Sequence, residues 1–265
     1  MPRRQRYLWR ADSVLRALSD FVRERFFTAN GLRLHVREWG DEAGRSIVLL
    51  HGIRSNARIW DGFARELGAT GKWRVIVPDL RGHGESAWAP EYGILRYVDD
   101  LVALADAMDL SSFPLVGLSL GGRTAYSYAA ANSARVERLV IADTGPPASA
   151  AVTPQVSPPA RDEAFDNPED AVALSVSFYP LTPVVALREH VAYSLLKRDD
   201  GRWTWRHDPA VQRSTSSAQA PDVEWALLRR VMCPTLLIRG SESKTLARET
   251  ASAWCDRSRT ASWPR

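Results

Sequence analysis

The sequence predicts an α/β fold with an open, mostly parallel sheet that begins with an antiparallel hairpin and carries helices on both faces. Continuous apolar runs, such as residues 47–50 and 75–77, are typical of strands that are covered on both faces. Segments with apolar residues at helical spacing, such as residues 97–108, lie between these runs. Because strands and helices alternate along the chain, the strands are expected to run parallel.

The antiparallel hairpin is indicated by the dipeptide Asn30-Gly31, which favours a tight turn. Residues 26–29 and 32–39 flank it, and the second segment alternates apolar and polar residues, as a half-buried strand does. Three later apolar runs are also interpreted as strands of the sheet: residues 115–116, 139–141 and 236–238.

One long stretch of the chain, residues 147–231, breaks this alternation of strand and helix. It opens with a Pro-, Ser- and Ala-rich segment, continues with helical patterns, and is too long for a single loop. We therefore expect a mainly helical cap inserted after strand six. The expected organisation is an N-terminal amphipathic segment (1–25), the first part of the core (26–146), the cap (147–231), strand seven with the start of the following helix (232–250), and an irregular tail (251–265).

Composition excludes several classes of protein. The 265 residues include 35 Lys and Arg against 31 Asp and Glu, a small positive excess that does not favour a nucleic-acid partner. Two cysteines cannot form a disulfide framework. The sequence shows no apolar run long enough for an integral membrane segment and no secretion signal, so we expect a cytoplasmic protein. At the N-terminus, helical spacing predicts a short amphipathic helix through Leu15, Leu18, Phe21 and Val22.

The strongest chemical signal is Gly117-Leu118-Ser119-Leu120-Gly121, which follows an apolar run and precedes a helical segment. A serine in this strand–turn–helix context lies on a sharp elbow, and the flanking glycines let the backbone pass where side chains would clash. The start of the following helix favours negative charge near the serine. Ser119 is therefore the candidate nucleophile.

A second signal, His51-Gly52-Ile53, directly follows the apolar run of residues 47–50. Glycine at a strand end lets the chain turn so that a backbone N–H faces the crevice, and the N–H groups of Ile53 and Leu120 are the candidate oxyanion donors. We interpret His51 as a support for this loop and not as a general base. Residues 79–86 are likewise interpreted as a structural loop, with His83 as a catalytic base the alternative interpretation.

Taken together, these three motifs, in this order and spacing, resemble the α/β-hydrolase fold family, from about residue 26 to about residue 249. The resemblance implies an eight-stranded sheet, a cap after strand six, a serine nucleophile, an acid after strand seven or six, and a histidine after strand eight. Because Ser119 and not an aspartate occupies the elbow, the resemblance favours the serine hydrolases of the family, in particular those of the esterase branch.

The catalytic acid has two candidates. Asp143 directly follows the strand of residues 139–141, and Glu242 lies in the loop after the strand of residues 236–238. The acid has only to orient an imidazole and stabilise its positive charge, so either strand end could supply it.

The catalytic histidine has no candidate at the expected place. The histidines are His35, His51, His83, His190 and His207, and none follows strand seven. Residues 252–265 have no strand or helix periodicity, and we expect the eighth strand to be missing, as in a truncated chain. His190 and His207 fall in the expected cap, which we expect to position a base poorly.

The sequence therefore favours a serine hydrolase of ester-type (acyl) small-molecule substrates, either active or inactive through loss of the C-terminal histidine. The alternative is a non-catalytic protein of the same fold that binds a small molecule. No metal or other cofactor is expected, since phosphate-binding glycine patterns do not occur. The sequence gives no indication of the oligomeric state.

Overall fold

The computed structural model describes residues 22–146, 163–215, 221–257 and 260–262. The strands are β1 (Val22–Ala29), β2 (Leu32–Gly40), β3 (Arg45–Leu50), β4 (Trp73–Pro78), β5 (Phe113–Leu118), β6 (Val136–Ala142), β7 (Ala164–Phe165), β8 (Leu195–Lys197), β9 (Trp203–Trp205), β10 (Thr235–Ile238) and β11 (Ala261–Ser262). The helices are α1 (Asp61–Gly68), α2 (Ile94–Ala107), α3 (Leu120–Ala131), α4 (Pro168–Phe178), α5 (Val184–Ser194), α6 (Ala210–Thr215), α7 (Pro221–Leu228) and α8 (Arg248–Arg257).

The main sheet has eight strands in the order β1-β2-β4-β3-β5-β6-β10-β11. Strand β2 pairs antiparallel with both β1 and β4, and every later pairing is parallel. The prediction of an α/β sheet that starts with an antiparallel hairpin is confirmed. The hairpin turns at Asn30 and Gly31, both of which have positive φ, as a tight turn of this kind requires.

Strand β3 is an example of the central strands, which have no polar face because both of their faces are covered. Val48 and Leu50 belong to one hydrophobic cluster, whereas Ile47 and Leu49 belong to another on the opposite face. Since neighbouring side chains of a strand point to opposite faces, a strand covered on both sides must be apolar throughout. Burial of each such aliphatic side chain stabilises the folded state by about 1.5–3 kcal/mol.

The expectation of a missing eighth strand is wrong. Strand β11 pairs in parallel with β10, and the N–H of Thr235 donates to the carbonyl of Thr260 at 2.9 Å. A two-residue strand is held through its backbone groups and has no side-chain period, so the sequence pattern could not indicate it.

Both ends of the described chain also differ from the expectation. Strand β1 begins at Val22, and Arg25 pairs with the buried Glu38, so residues 22–25 are extended and not part of an amphipathic helix. Leu15, Leu18 and Phe21 lie outside the described residues. The tail expected to be irregular contains most of helix α8, which buries Ala251 and Trp254, three positions apart, against the core.

Between β6 and β10 lies a further segment, residues 163–215, which we call the insert. It contains helices α4 and α5, as expected, and also a small antiparallel sheet in the order β7-β9-β8 that was not predicted, because its strands have only two or three residues. Its strands do not extend the main sheet. Helix α7, which the expected cap boundary included, packs instead in the main core through Trp225 and Leu228.

A buried ion pair fixes the loop after β4 to helix α2. Arg81 donates two hydrogen bonds of 2.6 Å to the carboxylate of Asp100, and its third donor group bonds the Glu91 carbonyl at 3.1 Å. Asn30 of the hairpin turn also donates to Asp100, at 2.9 Å. The carboxylate therefore joins the turn, the loop and the helix.

We expect Asp100→Ala to lower the free energy of unfolding by about 3 kcal/mol or more, because it leaves the buried guanidinium of Arg81 unpaired. The matched control is the neighbouring Asp99→Ala, whose side chain is 51% exposed and whose loss should change the free energy by less than about 0.5 kcal/mol. Urea unfolding measures both, and equal effects would show that the buried pair does not stabilise the fold.

Candidate active site

The structure places Ser119 at the turn between β5 and α3, with φ of +51° and ψ of −112°. A residue other than glycine is strained at positive φ, and this conformation persists where the surrounding structure fixes it. At this turn, the surrounding structure consists of closely packed backbone atoms. A Cβ on Gly117 would lie 2.3 Å from the Gly121 carbonyl oxygen, and one on Gly121 would lie 2.4 Å from that of Leu50. The two glycines therefore allow the close approach that forms the elbow.

The loop after β3 lies directly beside the serine. A Cβ on Gly52 would lie 3.4 Å from the Cβ of Ser119, and the N–H of Gly121 donates to the His51 carbonyl at 3.0 Å. Ile53 lines the same cavity as Ser119. Leu120 is the first residue of α3, so its N–H has no acceptor within the helix. The arrangement is suited to two N–H groups that stabilise a developing oxyanion.

Ser119 opens into a cavity of about 430 Å³ between the strand ends and the insert. The insert contributes most of its apolar wall. The apolar side chains from α4 and α5 that line it are Leu174, Phe178, Ala186 and Leu187. A cavity of this size and character fits a small organic molecule.

The structure brings only one of the two candidate acids to this cavity. Asp143, with φ of +53°, lines it, donates its N–H to the Ile238 carbonyl at 2.8 Å and accepts from the Gly240 N–H at 3.3 Å. Asp143 is thereby held where β6 and β10 end. Glu242 is exposed and is not among the residues that line the cavity.

Two histidines of the insert, His190 and His207, also line the cavity. Burial lowers the pKa of His190, and nearby His51 lowers it further. Burial, the charge of Arg54 and His190 together lower the pKa of His207 to about 3. Both imidazoles are therefore neutral at pH 7. Neither was assigned a role from sequence, because the cap was expected to position a base poorly.

The remaining histidines lie beneath the loops and not in the cavity wall. His51 accepts the Leu80 N–H at 3.0 Å on Nε2, and its other ring nitrogen lies 2.7 Å from the Gly52 carbonyl oxygen. This fits the interpretation of His51 as a loop support. His83 is fully buried, with Nδ1 2.9 Å from the carbonyl of Arg81.

Asp79 organises the loop that follows β4. Its carboxylate accepts the N–H groups of Ala57 at 2.6 Å and Glu85 at 2.9 Å, and lies 2.8 Å from Nδ1 of His35. Burial alone would raise the pKa of Asp79, but these hydrogen bonds and the neighbouring histidines lower it overall. Ser86 donates to the Asp79 carbonyl at 2.6 Å, in line with a structural reading of this loop.

The sequence matches the family model described as the alpha/beta hydrolase fold over residues 45–257. The chain belongs to the α/β-hydrolase family. None of the helices among the described residues has the length and hydropathy of a membrane-spanning helix. In the same part of the chain, no three or more His, Cys, Asp or Glu residues gather as metal ligands would.

Similar proteins include two with enzyme names. The chain is 28% identical to a 3-hydroxybutyrate-oligomer hydrolase of Cupriavidus necator, covering 83% of this chain and 80% of the relative. It is 29% identical to an esterase of Mycobacterium tuberculosis, over 77% of this chain and 68% of that enzyme. The solved structure of an α/β hydrolase from Novosphingobium aromaticivorans is 27% identical, covers 91% of this chain and 89% of its own, and superposes with a TM-score of 0.79.

The lowered pKa of His207 predicts that this α/β-hydrolase-family protein loses stability in mild acid. Between the unfolded pKa of about 6.5 and the folded pKa of about 3, the unfolded chain binds more protons at this residue, so stability falls as the pH falls. We expect the wild type to lose about 2 kcal/mol more than His207→Gln between pH 7 and pH 5. Urea unfolding at both pH values measures the difference. Equal losses in the two proteins would contradict the burial of a neutral imidazole.

Proposed function

We propose that this α/β hydrolase is a serine hydrolase of ester-type (acyl) small-molecule substrates, with Ser119 as nucleophile. The single observation that carries the proposal is Ser119 at a strained elbow on the wall of the cavity, next to the loop of Gly52 and Ile53. The names of the similar enzymes, an esterase and an oligomer hydrolase, support ester hydrolysis.

In the proposed reaction, Oγ of Ser119 attacks the ester carbonyl and its proton passes to an imidazole. The N–H groups of Ile53 and Leu120 stabilise the oxyanion. The C–O bond to the alcohol then breaks, and the alcohol leaves with that proton, so that an acyl-enzyme remains. Water attacks this intermediate, releases the carboxylic acid and restores the serine hydroxyl.

The imidazole comes, in this proposal, from the insert, since His190 and His207 are the histidines that line the cavity. Their lowered pKa values make them weak bases, and a weak base gives little driving force for taking the serine proton. We therefore expect slow turnover. Asp143, and not Glu242, takes the role of the acid, because Asp143 lines the cavity.

The alternative function is binding without catalysis. It is favoured by one specific observation, that both histidines lining the cavity have lowered pKa values and are therefore weak bases. The two functions differ in whether Ser119 reacts, and not in whether the cavity takes up a small molecule.

A fluorophosphonate probe tests the reactivity of Ser119. We expect slow labelling that maps to Ser119 by peptide mass spectrometry and disappears in Ser119→Ala, because the strained elbow and oxyanion donors activate this hydroxyl alone. Ser175→Ala is the matched control, since Ser175 lines the same cavity while its hydroxyl donates to the Ala171 carbonyl. Labelling should be unchanged in that variant.

Unlabelled wild-type protein that still binds an ester in the cavity would favour the binding protein. Labelling that persists in Ser119→Ala would place the reactive group elsewhere. His190→Ala and His207→Ala, compared in the same assay, tell which imidazole acts.

The acid is tested separately with 4-nitrophenyl butyrate. We expect Asp143→Asn to lower kcat/KM by about tenfold or more, because an acid stabilises the imidazolium formed during attack. Glu242→Gln should stay within about twofold of the wild type, because this exposed side chain lies outside the cavity wall. The opposite order would assign the acid to the loop after β10.

A further inference from the structure

Arg54 brings a positive charge into the wall of the cavity, one residue after the proposed oxyanion donor Ile53. Its φ is +60°, in the left-handed region that residues with a side chain rarely adopt. A residue held in this way costs free energy, and such residues gather at ligand-binding and catalytic sites. The loop thus tolerates strain at a position where glycine would be relaxed.

The guanidinium of Arg54 is largely buried but incompletely paired. Its side chain is 18% exposed, and Nη2 lies 3.4 Å from Oε2 of Glu163. The same oxygen accepts a much shorter bond, 2.6 Å, from Nε1 of Trp205. Among the described residues, Glu163 is the partner found for Arg54. Because a guanidinium has five N–H donors in a planar fork, most of them remain for solvent or a bound molecule.

The charge of Arg54 acts within the cavity. After burial, it is the largest cause of the lowered pKa of His207, which lines the same cavity. The carboxylate among the described lining residues is Asp143, held between the ends of β6 and β10 and already proposed as the acid. The guanidinium of Arg54 therefore gives the wall beside Ile53 a positive group that can meet an anion.

Much of the rest of the wall is hydrocarbon from α4 and α5, chiefly Leu174, Phe178 and Leu187. A molecule that fits would present an ester carbonyl to Ser119, a short apolar stretch to these side chains and a negative group to the guanidinium. The planar fork of arginine matches a carboxylate with two parallel hydrogen bonds.

We propose that Arg54 binds a carboxylate of the substrate, so that the site selects esters whose acyl part carries a free carboxylate a few bonds from the scissile carbonyl. This inference rests on the proposed serine hydrolase. It makes Arg54 a specificity-determining residue, which aligns the carbonyl with Ser119 and the oxyanion donors.

Two chromogenic esters test it: mono(4-nitrophenyl) glutarate, and 4-nitrophenyl valerate, in which a methyl group stands in place of the carboxylate. Rates are corrected with Ser119→Ala protein. We expect Arg54→Gln to lower kcat/KM for the glutarate by about 10- to 100-fold, the value of a charge-assisted hydrogen bond, and to leave the valerate within about threefold. Arg58→Gln, a nearby arginine outside the cavity wall, should leave both unchanged.

Arg54→Lys keeps the charge and loses the fork, so it should reduce the glutarate rate by less than Arg54→Gln does. It also serves if Arg54→Gln does not fold, which circular dichroism and the Tm would reveal. Equal losses for both esters would overturn the proposal, since Arg54 would then support the loop and not the substrate.

Binding separates this proposal from the failure of catalysis. Calorimetry with monomethyl glutarate and Ser119→Ala protein needs no turnover. We expect the added Arg54→Gln change to weaken binding about tenfold or more, and methyl valerate to bind equally to both proteins. Unchanged binding of monomethyl glutarate would overturn the role of Arg54, whereas weaker binding without turnover would support it and refute only the hydrolase.

Discussion

The close approach of backbone at the elbow is the constraint on which the site depends. Gly121 lies so near the end of β3 that no side chain fits, and Ser119 takes a positive φ in consequence. Because β5 lies between β3 and β6, the same turn is bonded to the ends of both: Gly121 to the His51 carbonyl, and Ser119 to the Ala142 carbonyl at 3.1 Å. Ser119, the loop beside it and Asp143 at the end of β6 are thereby brought to one edge of the sheet.

A buried polar layer beneath the loops keeps this edge rigid. The carboxylate of Asp79 holds the backbone at Ala57 and Glu85, and His51 holds Leu80. These groups lie out of reach of a substrate, so their role is to fix the backbone on which the cavity wall is built. The insert then lines the cavity with apolar side chains and two histidines, so the residues of the cavity come from both the strand ends and the insert.

The fold and the elbow could be predicted because both depend on local sequence patterns. Apolar runs identify strands covered on both faces. The two glycines around Ser119 stand at a fixed spacing because a side chain at either position would clash with the backbone. The choice between Asp143 and Glu242 depends on which strand end faces the cavity, which no local pattern fixes. The roles of Arg54 and His207 could not be predicted, since more than 150 residues separate them in sequence and only the packing of the insert brings them to one cavity. Strand β11 was missed because backbone pairing leaves no side-chain period.

Intact-protein mass spectrometry after mixing with 4-nitrophenyl butyrate tests most directly whether a substrate acylates Ser119. Because the neutral, weakly basic imidazoles also slow deacylation, a butyryl adduct should accumulate, map to the peptide that contains Ser119, and be absent from Ser119→Ala. Release of 4-nitrophenol that is unchanged in Ser119→Ala, or an adduct on another residue, would contradict a nucleophilic Ser119.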